Sequence, residues 1–407
     1  MRIVSSAIVM SDLHLGRELS YLDTRHPSYE QNRRNFLEIL EQAGEVEELI
    51  INGDLFEVAL EDWDEVCEQA RAFFDVLAEV PPPQRIVYIP GNHDHHLWQS
   101  LVERYYIFSA IKEKRPLPDR KHYPLYFVDR KFTSTNPNHA MHMILPDLWP
   151  DKKSRPEFII KYPHHLLGIE TGKKINHYFF THGHFLEPWF RPLNFLVEPA
   201  RIDELEGFNA LWLESFNYHL GHASRLSERV MAIIASYEQG YKNSKKRINR
   251  ILNEIFLNIR RKTQLGDIGA FLLKVAMKFV LRYFPKDRNF ALFQNPVDKK
   301  MLSEINTYLE KYIFQRYKPE NYERLSLPSP DRIPVPFTFV FGHTHRPNFA
   351  PEDMAASKIK LDNEEISVLN TGGWLRIDSE MQNGENAGIL LINSNGQQWL
   401  SLSGKLH

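Results

Sequence analysis

Five short clusters of metal-ligand residues occur along the chain in a fixed order: Asp12-Leu13-His14, Gly53-Asp54-Leu55-Phe56-Glu57, Gly91-Asn92-His93-Asp94, Thr181-His182-Gly183-His184 and Gly342-His343-Thr344-His345. Together they hold seven good ligands. That set suffices for two divalent ions sharing one carboxylate, with positions left open for water and a phosphate oxygen. Asp54 is read as the shared ligand, because a single carboxylate can span two cations roughly 3.5 to 4 Å apart. Four of the seven are histidines, and neutral imidazole suits Mn, Fe, Ni, Co or Zn better than Mg or Ca. Two such ions lower the pKa of a coordinated water toward about 7, so hydroxide becomes available for in-line attack on phosphorus. The chemistry this set would support is phosphoester hydrolysis.

Positioning those clusters requires strands that end on a common rim. Each is preceded by a short apolar run rich in β-branched and aromatic residues: Ile3 to Met10, Glu48 to Ile51, Arg85 to Ile89, Tyr178 to Phe180 and Phe337 to Phe341. Such runs read as strands buried on both faces. In layered α/β folds, ligands gather at the carboxyl ends of strands. Between the first three clusters, Tyr29 to Ala43 and Asp64 to Val80 carry apolar residues at helical spacing, and Pro81-Pro82-Pro83 stops the second. The expected order there is strand, helix, strand, helix, strand. Met141 to Leu145, Phe158 to Ile160, Ile359 to Leu369, Gly388 to Asn393 and Gln397 to Leu402 read as further strands, with a turn at Asn393-Ser394-Asn395-Gly396.

The chain has 407 residues, which implies one large domain with an insertion, or two domains. Lys plus Arg number 50 against 52 Asp plus Glu, a balance that argues against wrapping nucleic acid through bulk charge. Cys67 stands alone, so no intramolecular disulfide can form, and its place in a helical pattern marks it as a small buried hydrophobe. The apolar start is read as a core strand rather than a signal peptide, since Asp12 and His14 follow too closely for cleavage. No run approaches the roughly 18 apolar residues that would span a bilayer. A cytoplasmic protein is expected, peripheral at the inner membrane surface at most.

With the clusters in view, the sequence resembles the calcineurin-like metallophosphoesterases, whose pattern is D-x-H, G-D-x-x-D/E, G-N-H-D/E, a glycine-adjacent His and G-H-x-H. All five blocks match in order, over residues 1–184 and 331–407. The resemblance implies a four-layer αββα sandwich of two mixed sheets flanked by helices. It implies one metal on Asp12, His14, Asp54 and His345, and a second on Asp54, Asn92, His182 and His343, with manganese the first expectation. It leaves His93 free of metal to protonate the leaving oxygen or stabilise the transition state, with Glu57, or alternatively Asp94, orienting the ring. His184 is an alternative to His182 as ligand. Arg17, His95, His184 and Arg346 are candidate substrate contacts, although for Arg17 and Arg346 a salt bridge with neighbouring carboxylates is an equal reading. Asn370-Thr371-Gly372-Gly373-Trp374 reads either as a rim-lining segment or as an ordinary glycine-rich turn.

Residues 185–330 read as a helical cap inserted between the fourth and fifth clusters. Lys242 to Lys262 holds eight Lys or Arg and one acid, Glu254. Phe271 to Phe284 sets Lys274, Lys278 and Arg282 four apart on an otherwise apolar helix. One reading is a helix that enters a membrane surface or grips an amphipathic substrate; the other is a helix buried in the insertion's own core with its charged stripe in water. The Gly342 to Pro347 block and the insertion's placement are partly similar to bacterial UDP-2,3-diacylglucosamine pyrophosphohydrolases, which usually have Arg at the position of His93 and a much shorter insertion. The expected substrate is therefore a phosphomonoester or diphosphate of amphipathic or nucleotide type. A nuclease or cyclic-nucleotide phosphodiesterase is the alternative, with affinity that falls steeply with salt. A non-catalytic scaffold is the remote third.

Overall fold

The computed structural model describes residues 1–116, 130–132, 145–150, 154–186, 202–214, 297–314, 333–361, 363–376 and 384–404. Contacts divide the chain into two compact units, Met1–Tyr218 with Pro296–His407, and His219–Asn295. The second unit, and with it the basic segments 242–262 and 271–284, lies outside the described residues.

The first unit is built on two mixed sheets. Strands β1 (Arg2–Val4), β2 (Ser6–Met10), β3 (Glu48–Asn52), β4 (Arg85–Ile89), β5 (Arg130–Phe132), β6 (Glu157–Ile160), β7 (His164–Thr171), β8 (Lys174–Thr181), β9 (Thr338–Phe341), β10 (Lys358–Leu361), β11 (Glu364–Asn370), β12 (Gly388–Asn393) and β13 (Gly396–Ser401) follow in chain order. One sheet runs β1-β7-β8-β9-β11-β10 and the other β13-β12-β2-β3-β4-β6-β5. Within the second, β2, β3, β4 and β6 are parallel neighbours, while β12 and β5 join antiparallel.

Strand periodicity explains the layering. Successive side chains point to opposite faces, so Ala7, Val9, Ile50, Val87 and Ile89 meet Leu167, Ile169, Tyr178, Phe180, Val340 and Leu369 in one core between the sheets. The alternate residues Ile8, Met10, Leu49, Ile51, Ile86 and Tyr88 face outward into a second core. That core takes the apolar stripes of helices α1 (Tyr29–Ala43) and α2 (Trp63–Leu77), through Phe36, Leu40, Phe73 and Phe74. With helices outside both sheets, the result is the αββα sandwich expected from the clusters.

Two expected strands are each two. The run Ile3 to Met10 divides at Ser5: β1 pairs with β7 in one sheet, and β2 pairs with β3 and β12 in the other. Backbone N–H and Oγ of Ser5 both donate to Glu47 Oε1, which fixes the crossing. The run Ile359 to Leu369 is a hairpin, β10 turning into β11. Of the expected strand Met141 to Leu145, residues 141–144 lie outside the described set, and Leu145 opens a helical turn.

Among the described residues, no helix is long and apolar enough to cross a membrane.

Candidate metal centre

All five clusters sit immediately after the carboxyl ends of strands: Asp12 after β2, Asp54 after β3, Asn92 after β4, His182 after β8 and His343 after β9. Backbone bonds tie the loops to one another, from Asp12 N–H to Gly53 O, from His14 N–H to Asp54 O, and from Gly342 N–H to His182 O. Five of the seven expected ligands, Asp12, His14, Asp54, His343 and His345, have left-handed backbone with φ between 48° and 68°. Asp and His tolerate this region better than most residues, but such conformations still cost on the order of 1–3 kcal/mol each and gather at functional sites.

The side chains form two donor groups with one carboxylate between them. In the first, Asp12, His14 and His345 converge: His345 Nε2 lies 3.2 Å from both Asp12 Oδ1 and His14 Nε2. In the second, Asp54, His182 and His343 converge, with His182 Nε2 3.0 Å from Asn92 Oδ1 and 3.1 Å from Asp54 Oδ2. Asp54 Oδ2 is also 3.8 Å from His14 Nε2. One oxygen thus faces a ring nitrogen from each group.

Hydrogen bonds set the tautomers. His14 Nδ1–H donates to Glu57 Oε2 at 2.8 Å, and His182 Nδ1–H donates to the carbonyl of Asn52 at 3.1 Å. In the neutral rings the Nε2 lone pairs therefore point into the pocket. At His182 that lone pair meets two further acceptors, Asn92 Oδ1 and Asp54 Oδ2, an arrangement that a cation satisfies and that acceptors alone cannot. The donor set fits divalent transition ions.

Electrostatics agree. Burial lowers His14 and His343 and keeps them neutral, as ligands must be. Burial opposes ionisation of Asp54, yet His182 and His93 hold its carboxyl well below the usual range. Burial would likewise lower His182, but Asp54 and Asp12 outweigh it and push it up to about 9. The pocket's excess negative charge thus draws a proton to the place a metal ion would take.

His93 occupies a different place. Its Nδ1 meets Glu57 Oε1 at 2.6 Å, its backbone N–H donates to Asp54 Oδ1 at 2.8 Å, and its side chain is 15% exposed where the ligands around it are buried. Burial lowers it, but Glu57 and Asp54 prevail and raise it to about 9. Glu57 thereby serves two rings, one on each oxygen. Asp94 does not touch His93's ring in this arrangement: its Oδ1 accepts from Gly91 N–H at 2.6 Å and its Oδ2 from Leu55 N–H at 2.8 Å, which pins the second cluster to the third.

The remaining candidates lie around these groups. Arg17 is buried, with Nη1 3.8 Å from Glu57 Oε2. His95 is held between Glu206 and Glu214. His184 accepts from Asn209 Nδ2 at 3.1 Å, its ring centre 5.5 Å from that of His182. Arg346 is half-buried beside His345. Asn370, read as either rim or turn, ties down the last cluster, donating from Nδ2 to Gly342 O and Thr344 Oγ1 while its Oδ1 accepts from Gly372 N–H. The backbone N–H of Trp374 donates to Asp12 O. An asparagine at the end of a strand, one residue ahead of two glycines, was the available signal for that role.

A profile of the family described as calcineurin-like phosphoesterase matches residues 6–254. The chain belongs to that family and is a metal-dependent phosphoesterase. The fifth cluster lies beyond the matched residues and joins the site through the contacts just described. No curated protein matches by sequence. Similar solved structures include the cold-active protein-tyrosine phosphatase of a psychrophile, Shewanella sp., 13% identical, covering 100% of this chain and 81% of that one with a TM-score of 0.29. A second structure of a cold-active protein tyrosine phosphatase is 14% identical, covering 100% and 79%, also at 0.29. Scores this low say nothing of shared architecture or substrate.

Proposed function

We propose that the chain hydrolyses phosphomonoesters or diphosphates at two divalent transition-metal ions sharing Asp54, with manganese first among the candidates. Asp12, His14, Asp54 and His345 would hold one ion, and Asp54, Asn92, His182 and His343 the other. The observation that carries this reading is the position of Asp54 Oδ2, 3.1 Å from His182 Nε2 and 3.8 Å from His14 Nε2. When bound, such a pair supplies an activated water at neutral pH and neutralises phosphoryl charge.

The chain's own residues do the rest. Glu57 and the Asn52 carbonyl hold the imidazoles of His14 and His182 with Nε2 inward. His93, anchored through its backbone N–H to Asp54 and through Nδ1 to Glu57, keeps Nε2 for the substrate, where it gives a proton to the leaving oxygen or bonds a phosphoryl oxygen. Its partial exposure makes it reachable from solvent.

An amphipathic substrate, with acyl-bearing diphosphates as its extreme, is favoured by the sequence of 271–284, which lies outside the described residues; peripheral contact with a membrane would follow from the same segment. The test is hydrolysis by manganese-reconstituted protein across monoesters, diesters, and soluble and lipid diphosphates. Turnover of monoesters or diphosphates, abolished in Asp54→Asn and reduced about 10²- to 10⁴-fold in His93→Asn, supports the proposal. Turnover of none, or turnover untouched by Asp54→Asn, refutes it.

A further inference from the structure

Next to the third cluster lies a buried polar network that the proposed chemistry does not use. Helix α3 (His95–Val102) begins directly after Asp94, and helix α4 (Ile202–Trp212), at the start of the region read as the insertion, runs on to Glu214. His95 Nε2 lies 2.9 Å from Glu206 Oε1, and His95 Nδ1 lies 2.9 Å from Glu214 Oε1. His96 Nδ1 meets the other oxygen of Glu214 at 2.7 Å. Tyr162 donates to Glu206 Oε1 at 2.8 Å, and Asn209 Nδ2 reaches both Glu206 Oε2 and His184 Nε2. His95, Glu206 and Asn209 are at most 1% exposed.

An ionised carboxylate only accepts hydrogen bonds, so a ring with a carboxylate oxygen at each nitrogen donates from both and is an imidazolium. A positive charge on the first residue of a helix opposes the helix dipole, and buried charges are costly without partners. Glu206 and Glu214 are what keep that charge where it is. Through His95 they grip the residue that follows Asp94, the carboxylate that pins Gly91, Leu55 and Phe56.

We propose that Glu206 and Glu214 are positioning residues for the phosphoesterase centre: by holding His95 between them, they fix the Gly91–Asp94 turn and with it Asn92 and His93. This rests on the roles proposed above for Asn92 and His93. The start of the region read as the insertion thus braces the second ion's ligand and the proton donor.

The test compares Glu206→Gln and Glu214→Gln with Glu48→Gln. Glu48 makes an equally buried pair with His165, 2.6 Å away, at the opposite end of β3 from the metal loops, so it reports what losing a buried pair does to stability alone. Manganese binding is followed by calorimetry, and turnover is followed with p-nitrophenyl phosphate. Side-chain ¹⁵N–¹H correlation spectra report the ring N–H groups of His95.

The expected result is that both variants weaken the second manganese equivalent and lower kcat by about 10- to 100-fold, with KM and the first equivalent changed by less than about threefold. Wild type should show two His95 ring N–H signals. If Glu206→Gln fails to fold, Glu214→Gln, whose native side chain is 21% exposed, decides alone. Metal affinities and kcat like those of Glu48→Gln would overturn the proposal and leave a structural latch; a single His95 N–H in wild type would overturn it as well. Should wild type hydrolyse nothing, the proposed function fails, while metal binding and the His95 spectra still judge this inference separately.

Discussion

Replacing Glu57 by Gln removes one charge and keeps the shape, and its consequences can be worked through atom by atom. The carboxylate accepts from His14 Nδ1 at 2.8 Å and from His93 Nδ1 at 2.6 Å, one ring per oxygen. Although burial pushes this carboxyl up, the two imidazoles hold it well below the usual range, so it is ionised. A glutamine amide has one acceptor and one donor end, so only one ring can keep its Nδ1–H bond. The other must present a lone pair at Nδ1, which puts its proton on Nε2. If that ring is His14, Nε2 can no longer ligate and the first ion is weakened; if it is His93, the ions stay, but its Nε2–H belongs to a neutral imidazole, a far weaker acid than the imidazolium that Glu57 stabilises.

A hydrogen bond to a charged group is worth about 1.5–3 kcal/mol, equivalent to roughly ten- to a hundredfold in rate or affinity. An inverted catalytic tautomer can raise the loss in kcat to about 10⁴. The assay pairs kcat on p-nitrophenyl phosphate with calorimetric manganese titration, so the two branches separate. A Glu57→Gln protein that binds two ions and turns over within about threefold of wild type would refute the account of Glu57, since neither branch permits it.

Other outcomes follow from the same geometry. Gly53→Ala would place a Cβ 2.0 Å from His182 Nδ1, at a residue with φ +95°; the ring must move off the Asn52 carbonyl, and the second manganese equivalent should weaken about 10- to 100-fold in a binding titration. Glu48→Gln should cost about 3–5 kcal/mol in denaturant melts at neutral pH, as expected for breaking a buried pair. His165 holds the Glu48 carboxyl below its ordinary value of 4.5 despite burial, so the pair's contribution is complete above that pH and is lost as pH falls through the lowered value. The difference between wild type and variant in those melts should therefore shrink below pH 4.5. Chelation should abolish hydrolysis and remove about 2.7 kcal/mol of unfolding free energy for each ion lost, relative to protein at a hundredfold excess of metal over Kd. A chelated protein as stable as the loaded one would contradict a metal held only by the folded state.

How far the sequence anticipates this structure depends on the range of the interaction. The clusters could be read because each ends an apolar strand, and strand ends in layered sheets share a rim; helix α1 spans the residues its periodicity marks. The division of Ile3 to Met10 at Ser5 could not, because both halves are equally apolar and only Glu47, 42 residues on, fixes the crossing. The left-handed backbone at Asp12, His14 and His343 has no local signature, since these residue types merely permit it. Glu57's service to His14 as well as His93 depends on a contact across 43 residues. Asp94, the alternative to Glu57 that the family resemblance offers as partner for His93, is aimed by the turn at backbone N–H groups. His95, read as a substrate contact from its nearness to the third cluster, is claimed by two glutamates more than a hundred residues away.

The central claim is that two ions share one oxygen of Asp54, and a crystal grown with manganese, with data collected at the manganese absorption edge, tests it most directly. The account predicts two anomalous peaks per chain, roughly 3.5–4 Å apart, each within bonding distance of Asp54, with Asp12, His14 and His345 on one and Asn92, His182 and His343 on the other. A single peak, or peaks held by other residues, would contradict it.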